Sequence, residues 1–280
     1  MPAFFIVSGY LYKKKKAKDI FRAYILPAYI MLILDFGEYL IKCKLNIEIK
    51  DILEGVTFIG GAFTNAPLWF LPTLAVICLI MNWLNEKKNI NYIFTIICII
   101  TCVINPKIYQ NLYFWPMAIL PAYPFYFVGT IIKERKMNCI NNYKITIIKA
   151  VIFFLLAIYN GYVSMIQQEF GKNYLLFLMT GLLGAELLYC FSFKLKEMRF
   201  KGFDIIGKNS IYILATHYYV CRAIIPKAMK LIGLKLIQYN ILFQIIITLL
   251  IMLGYYFIFI LIERMKNGKL RKSNSNCSGI

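Results

Sequence analysis

The chain has 280 residues, 60% hydrophobic and 16% charged, and 32 Lys and Arg against 13 Asp and Glu give a formal net charge of +19. Soluble domains run near 45–50% apolar with about a quarter of residues charged, so the composition excludes an ordinary soluble fold and predicts an all-α, polytopic transmembrane helical bundle. The charge does not signal a nucleic-acid partner, because the basic residues sit in short clusters between apolar blocks, where the positive-inside bias accounts for them.

The first apolar block, residues 2–12, would rise only about 16 Å as a helix. With no cationic region ahead of it, it does not read as a secretory signal; it reads as the remainder of a helix that starts before Met1. Further blocks follow at 24–41, 68–84, 90–104, 113–132, 145–166, 174–193, 205–226 and 236–262. Most reach the roughly 17–25 residues that a helix needs to cross the hydrocarbon, where only backbone satisfied within its own segment survives. The block at 90–104 is short. Segments 13–22, 86–88, 133–144, 194–208 and 263–272 together carry 22 Lys and Arg, whereas the alternate segments 42–66, 105–112, 167–173 and 227–235 carry 8. That asymmetry predicts about nine crossings, with the first set and the C-terminus cytoplasmic. Lys227, Lys230 and Lys235 run against it, and a re-entrant or interfacial 205–235 region would accommodate them. Residues 1–266 read as a single membrane-embedded domain. Residues 267–280, polar and aperiodic, read as a disordered cytoplasmic tail. The longest outer loop, 42–66, is placed to pack over the outer mouth of the bundle.

Ionisable groups inside spans cost about 2.5–3.5 kcal/mol on insertion scales, so each is a candidate for function. Asp35 and Glu38 share a helix face near the outer end of their span. They suit a cation, a sugar hydroxyl or an ion pair with Arg222; a plain interhelical pair is the alternative. Glu186, after Gly181, Gly184 and Ala185, suits a buried hydrogen bond in closely packed helices, and Lys149 is near enough to the inner end to snorkel. His217 is the only histidine. Ser210, Leu214, His217 and Cys221 form one stripe, expected to face the bundle interior. There a neutral imidazole suits general-base work on an attacking hydroxyl, or simply a hydrogen bond to a neighbouring carbonyl or carboxylate. Trp69, Trp83 and Trp115 lie near span ends, as interfacial anchors do. The Lys13–Lys16 run with Lys18 and Arg22 sets topology and also offers donors to phosphate oxygens. No cysteine spacing indicates a disulfide or a metal site, and no bound cofactor or metal is expected.

Several stretches together resemble one family. Phe4-Phe5-Ile6-Val7-Ser8-Gly9-Tyr10-Leu11 resembles the Phe-Phe-x-x-Ser-Gly-Tyr/Phe segment in the second helix of the integral-membrane acyltransferase 3 family. The basic run ending in Arg22 and followed by Pro27 is similar to that family's next segment. Pro67-Leu68-Trp69-Phe70-Leu71 resembles its Leu-Trp-Phe-Leu helix opening, Tyr123-Pro124-Phe125-Tyr126-Phe127-Val128-Gly129 fits as well, and Ile206-Gly207-Lys208-Asn209-Ser210 through His217 resembles its late Asn-Ser to His segment. The resemblance implies a roughly ten-helix membrane enzyme, closest to the fucose 4-O-acetylase type, in a bacterial cytoplasmic membrane. Such an enzyme moves an acyl group, commonly acetyl from acetyl-CoA, onto a hydroxyl of a cell-surface or exported glycan. It also implies a first helix bearing the family's main histidine, which this sequence lacks. The chain accordingly reads as an N-terminally truncated and impaired copy, and nine charge-derived crossings plus one make ten.

On this reading acyl-CoA enters near Lys13–Arg22 and the glycan or lipid-linked sugar acceptor near Asp35, Glu38 and the outer loop, with Lys18, Arg22, Asp35, Glu38, Trp69, Ser210 and Arg222 as the candidate substrate-binding residues. His217 lines the cavity between them as a secondary base or an orienting group. Two rivals stand: a glycan-precursor transporter or flippase with Asp35, Glu38, Glu186 and His217 as an ion path, and an inactive membrane assembly protein.

Overall fold

The computed structural model describes residues 1–42, 48–56, 66–104, 115–135, 143–165, 167–197, 201–221 and 241–277. They are almost entirely helical: α1 Pro2–Tyr10, α2 Ala17–Ile20, α3 Leu26–Lys42, α4 Ile49–Val56, α5 Phe70–Leu84, α6 Lys88–Ile104, α7 Ile119–Glu134, α8 Tyr143–Asn160, α9 Tyr174–Glu197, α10 Lys201–Lys208, α11 Ser210–Tyr219 and α12 Ile241–Cys277. A short antiparallel pair, β1 Val163–Ser164 and β2 Glu169–Phe170, lies between α8 and α9. Among the described residues, five helical stretches are long and apolar enough to cross a membrane: Ala17–Ile41, Pro67–Leu84, Tyr143–Asn160, Tyr174–Phe193 and Ile245–Met265. Lys88–Ile104 is apolar but shorter. The fold is a helical membrane bundle, and each apolar block of the sequence falls on one or more of these helices.

The chain groups into two compact units, Met1–Glu197 and Met198–Ile280. In the first, α1 lies along α7, which also packs on α6 and α5, while α8 packs on α9. The α1–α7 crossing is close because both helices present glycine there. A Cβ on Gly9 would sit 1.9 Å from the Tyr126 carbonyl oxygen, and one on Gly129 would sit 2.1 Å from that of Ile6. Without a hydrophobic force between helices in lipid, such backbone approach is what dispersion and Cα–H contacts require. Around it Phe5, Leu71, Ile77, Met81, Tyr123, Phe125 and Tyr126 are fully buried. The Tyr123 hydroxyl donates to Asn91 Oδ1 at 2.5 Å and the Asn91 amide to the Met81 sulfur at 3.3 Å, tying α5, α6 and α7 by buried polar contacts.

Three boundaries depart from expectation. The block at 145–166 is not helical throughout: α8 stops at Asn160 because Gly161 adopts φ +80, the left-handed conformation that ends helices without a Cβ penalty. The Asn160 amide then holds the hairpin, donating to the Phe170 carbonyl at 3.0 Å and accepting from the Lys172 N–H at 3.2 Å. The block at 205–226 is broken at Asn209. And α12 continues to Cys277, so helical backbone runs into the tail expected to be disordered. Cys190 is disulfide-bonded, which spacing does not announce because pairing in space leaves no mark on separation along the chain.

Candidate active site

One end of the first unit gathers three of the basic clusters that charge counting assigns to a single side. Lys14 Nζ donates to Glu86 Oε1 at 2.6 Å, joining the segment after α1 to the α5–α6 turn. Lys88 Nζ donates to Glu134 Oε2 at 3.0 Å, joining that turn to the end of α7, and Lys133 Nζ donates to the Tyr12 carbonyl. The hydrogen bond from Lys14, and then its charge, lower the Glu86 carboxyl below its ordinary value. Exposed pairs of this kind stabilise little; their value is to show which segments meet.

From Tyr12 to Lys16 the chain leaves helix, with Lys16 extended at φ −64, ψ 149. Asn82, in the last turn of α5, holds this segment: its Nδ2 donates to the Lys15 carbonyl at 2.7 Å and its Oδ1 accepts from the Tyr12 hydroxyl at 2.9 Å. Lys15 Nζ reaches the Tyr24 hydroxyl at 3.4 Å and lies 5.2 Å from the centre of that ring. Inward of Tyr24, the Cys78 sulfur lies 3.4 Å from the Tyr126 hydroxyl. The cluster runs from a surface ammonium into the core.

Lys18 on α2 and Arg22 on the next turn are both exposed at this end. Phe21–Ile25 is a π-helical turn in which the Leu26 N–H donates to the Phe21 carbonyl. Pro27 explains its position, since a proline lacks an N–H and crowds the carbonyl four residues back, which a widened turn relieves.

Asp35 is 1% exposed and Glu38 is half-buried on the same face of α3; neither is free. Their helix packs on the turn Ala66–Trp69. Trp69 is 5% exposed, its ring edge-on to Phe70 at 6.2 Å and its carbonyl accepting from the Thr73 hydroxyl at 2.9 Å. The anchor reading of Trp69 is thus corrected: the 3₁₀ turn points it into protein. Trp83, 70% exposed with Lys87 Nζ 5.6 Å from its ring centre, retains that reading. Arg222, and with it the pairing expected with Asp35 and Glu38, lies outside the described residues, as do Lys227, Lys230 and Lys235.

Lys149 is corrected too. It does not snorkel alone; it forms an ion pair with Glu186 between α8 and α9, where Gly184 lies under the Phe153 ring. The signal was in the sequence: opposite charges inside two successive apolar blocks are cheaper paired than separate.

In the second unit, α10 packs on α12. Asn209 separates α10 from α11 by serving both: its amide donates to the Ile205 carbonyl at 2.8 Å, while its own carbonyl accepts from the Tyr212 N–H at 3.0 Å. Ser210 opens α11, and His217 lies two turns on. Leu214 is buried, Ser210 and His217 are half-buried and Cys221 is exposed, so only part of the stripe faces inward. His217 Nδ1 lies 2.8 Å from the Leu214 carbonyl and 3.0 Å from that of Ile213. A carbonyl can only accept, so Nδ1 carries the proton, and in the neutral ring Nε2 is left with its lone pair. Beside it the Thr216 hydroxyl donates to the Tyr212 carbonyl at 2.7 Å, which makes Tyr255 the donor in the 2.6 Å contact between the two hydroxyls. Among the described residues no group of three His, Cys, Asp or Glu side chains could hold a metal ion.

Residues 1–263 match the family model described as an acyltransferase domain, acyltransferase 3. The chain belongs to the acyltransferase 3 family. The matched range takes in every segment of the resemblance, from Phe4 in α1 to His217 in α11. No curated protein and no solved structure matches the chain. Family membership supports a membrane O-acyltransferase in general terms, and the structure gives several acyltransferase 3 segments a physical purpose. Gly9 admits the α7 backbone, and Asn209-Ser210 marks a helix junction seven residues ahead of the histidine. Sequence reasoning missed Asn82, Tyr12, Tyr24 and Cys78. Only Asn82 left a trace, as a lone amide near the end of an apolar block.

Proposed function

We propose that this acyltransferase 3 chain transfers an acyl group, acetyl the first candidate, from acyl-CoA to a hydroxyl of a cell-surface or exported polysaccharide or its lipid-linked precursor. The end of the first unit that carries Lys13–Arg22 faces the cytoplasm of a bacterial cell and receives the donor, whose phosphates meet Lys18 and Arg22 with their exposed neighbours. In the first unit Asp35, Glu38 and Trp69 are the candidates for the acceptor; in the second, Ser210 and Arg222 are separate substrate-binding candidates. His217 acts as base. Its Nε2 takes the proton of the acceptor hydroxyl as that oxygen attacks the thioester carbonyl; the C–S bond breaks and the proton passes to the departing CoA thiolate.

The observation that carries this reading is the match of residues 1–263 to the acyltransferase domain; His217, whose Nδ1 faces the Ile213 and Leu214 carbonyls, leaves Nε2 as the nitrogen able to accept a proton. The test uses the full chain in lipid nanodiscs with acetyl-CoA and an oligosaccharide acceptor, following thiol release and acceptor mass together. His217→Ala should lower turnover roughly 10²–10⁴-fold with an unchanged thermal midpoint. Wild-type turnover in a folded His217→Ala protein removes the base role, and glycan movement across a bilayer without acyl-CoA consumption overturns the whole reading in favour of a transporter.

A further inference from the structure

The clamp on the Tyr12–Lys16 segment exceeds what membrane topology requires. Orientation is set by how many Lys and Arg lie in a loop near the span ends, not by the loop's shape. Here the shape is fixed. Asn82 uses both ends of its amide, donating to the Lys15 carbonyl at 2.7 Å and accepting from the Tyr12 hydroxyl at 2.9 Å, with the Lys15 N–H a further 3.4 Å neighbour. Lys133 adds a donor to the Tyr12 carbonyl from α7.

The clamp also sorts the ammonium groups. Lys14 is drawn to Glu86 and Lys15 to Tyr24. Lys13, Lys16 and Lys18 are exposed and make no ion pair with any described residue. Lys13 and Lys16 lie in the clamped segment and Lys18 follows on α2, so a fixed backbone keeps like charges on neighbouring stretches of chain against their repulsion, and an anion of several charges relieves it. A segment ordered beforehand also loses less freedom when that anion binds.

We infer that Asn82 is a positioning residue for donor recognition: it fixes the Tyr12–Lys16 backbone so that Lys13, Lys16 and Lys18 together meet the phosphates of acyl-CoA. The inference rests on the donor assignment proposed above, and the test separates the two.

Binding of CoA itself is measured by calorimetry on the full chain in nanodiscs, alongside KM and kcat for acetyl-CoA. Asn82→Ala should weaken CoA binding and raise KM about tenfold, the loss of one to two hydrogen bonds, with kcat and the thermal midpoint within about twofold and a few degrees of wild type. Asn82→Gln, which keeps the amide one methylene further out, should recover part of the affinity. Tyr12→Phe removes a single contact and should cost about threefold, and it decides the matter if Asn82→Ala fails to fold. The triple variant Lys13→Gln, Lys16→Gln, Lys18→Gln tests the donor assignment. If it weakens CoA binding while Asn82→Ala and Tyr12→Phe bind as wild type, the clamp is overturned and the donor site stands. If wild type does not bind CoA, or the triple variant binds it unchanged, the donor assignment falls and the clamp with it.

Discussion

Pro67–Leu84 and Tyr143–Asn160 are both 18 residues long and of similar mean hydropathy, yet 67% of the first is buried within the protein and only 6% of the second. Hydropathy reports that a helix enters lipid; it does not report which helix the others gather round. In lipid that choice falls to small residues, shape and polar contacts. The stretch ending in α5 carries the buried Trp69, Thr73, Cys78 and Met81 and the Asn82 clamp. α8 exposes Ile147, Ile148, Val151, Leu155 and Ile158, and Lys149 is its polar tie to α9.

The sharpest way to break the comparison is at the crossing beside α5. Gly9→Ala forces a methyl to within 1.9 Å of the Tyr126 carbonyl oxygen, and backbone cannot yield as a side chain does. It should cost enough to lose the folded state, whereas Gly37→Ala, with nothing within 4 Å, should be neutral. Size-exclusion profiles in detergent after a heating series distinguish the two, and equal profiles would remove the close crossing from the account.

The next largest effect separates α5 from α8 directly. Ile77 is fully buried and Leu155 is 64% exposed. Ile77→Ala should cost roughly 2–5 kcal/mol through the cavity it leaves, and Leu155→Ala less than about 0.5 kcal/mol. Comparable losses in denaturation would mean that α8 is covered after all.

The smallest effect concerns the tie between α8 and α9. Lys149→Leu or Glu186→Leu alone leaves one charge without its partner and should cost about 1–2 kcal/mol, and the double variant should recover most of it. Additive losses in that double-mutant cycle would show that the two side chains do not act as a pair.

The sequence was a good guide wherever one dimension suffices. Apolar runs of span length located the helices, and alternating charge grouped the basic segments, three of which meet at one end through Lys14, Lys88 and Lys133. The segments around Gly9, Trp69 and His217 led to the acyltransferase 3 family. It misled where direction matters: Trp69 near a span end points into protein, because a side chain's heading depends on the turn that carries it and the helix it meets.

By itself, then, the sequence determined membrane residence, the helices and the family, since these follow from transfer free energies and ordered motifs read along the chain. Tertiary structure alone decided that α5 is central and α8 peripheral, that Gly9 and Gly129 meet the backbone of the facing helix, and that Asn82 grips Lys15. Each depends on atoms far apart in the chain, which leave no period or composition to read.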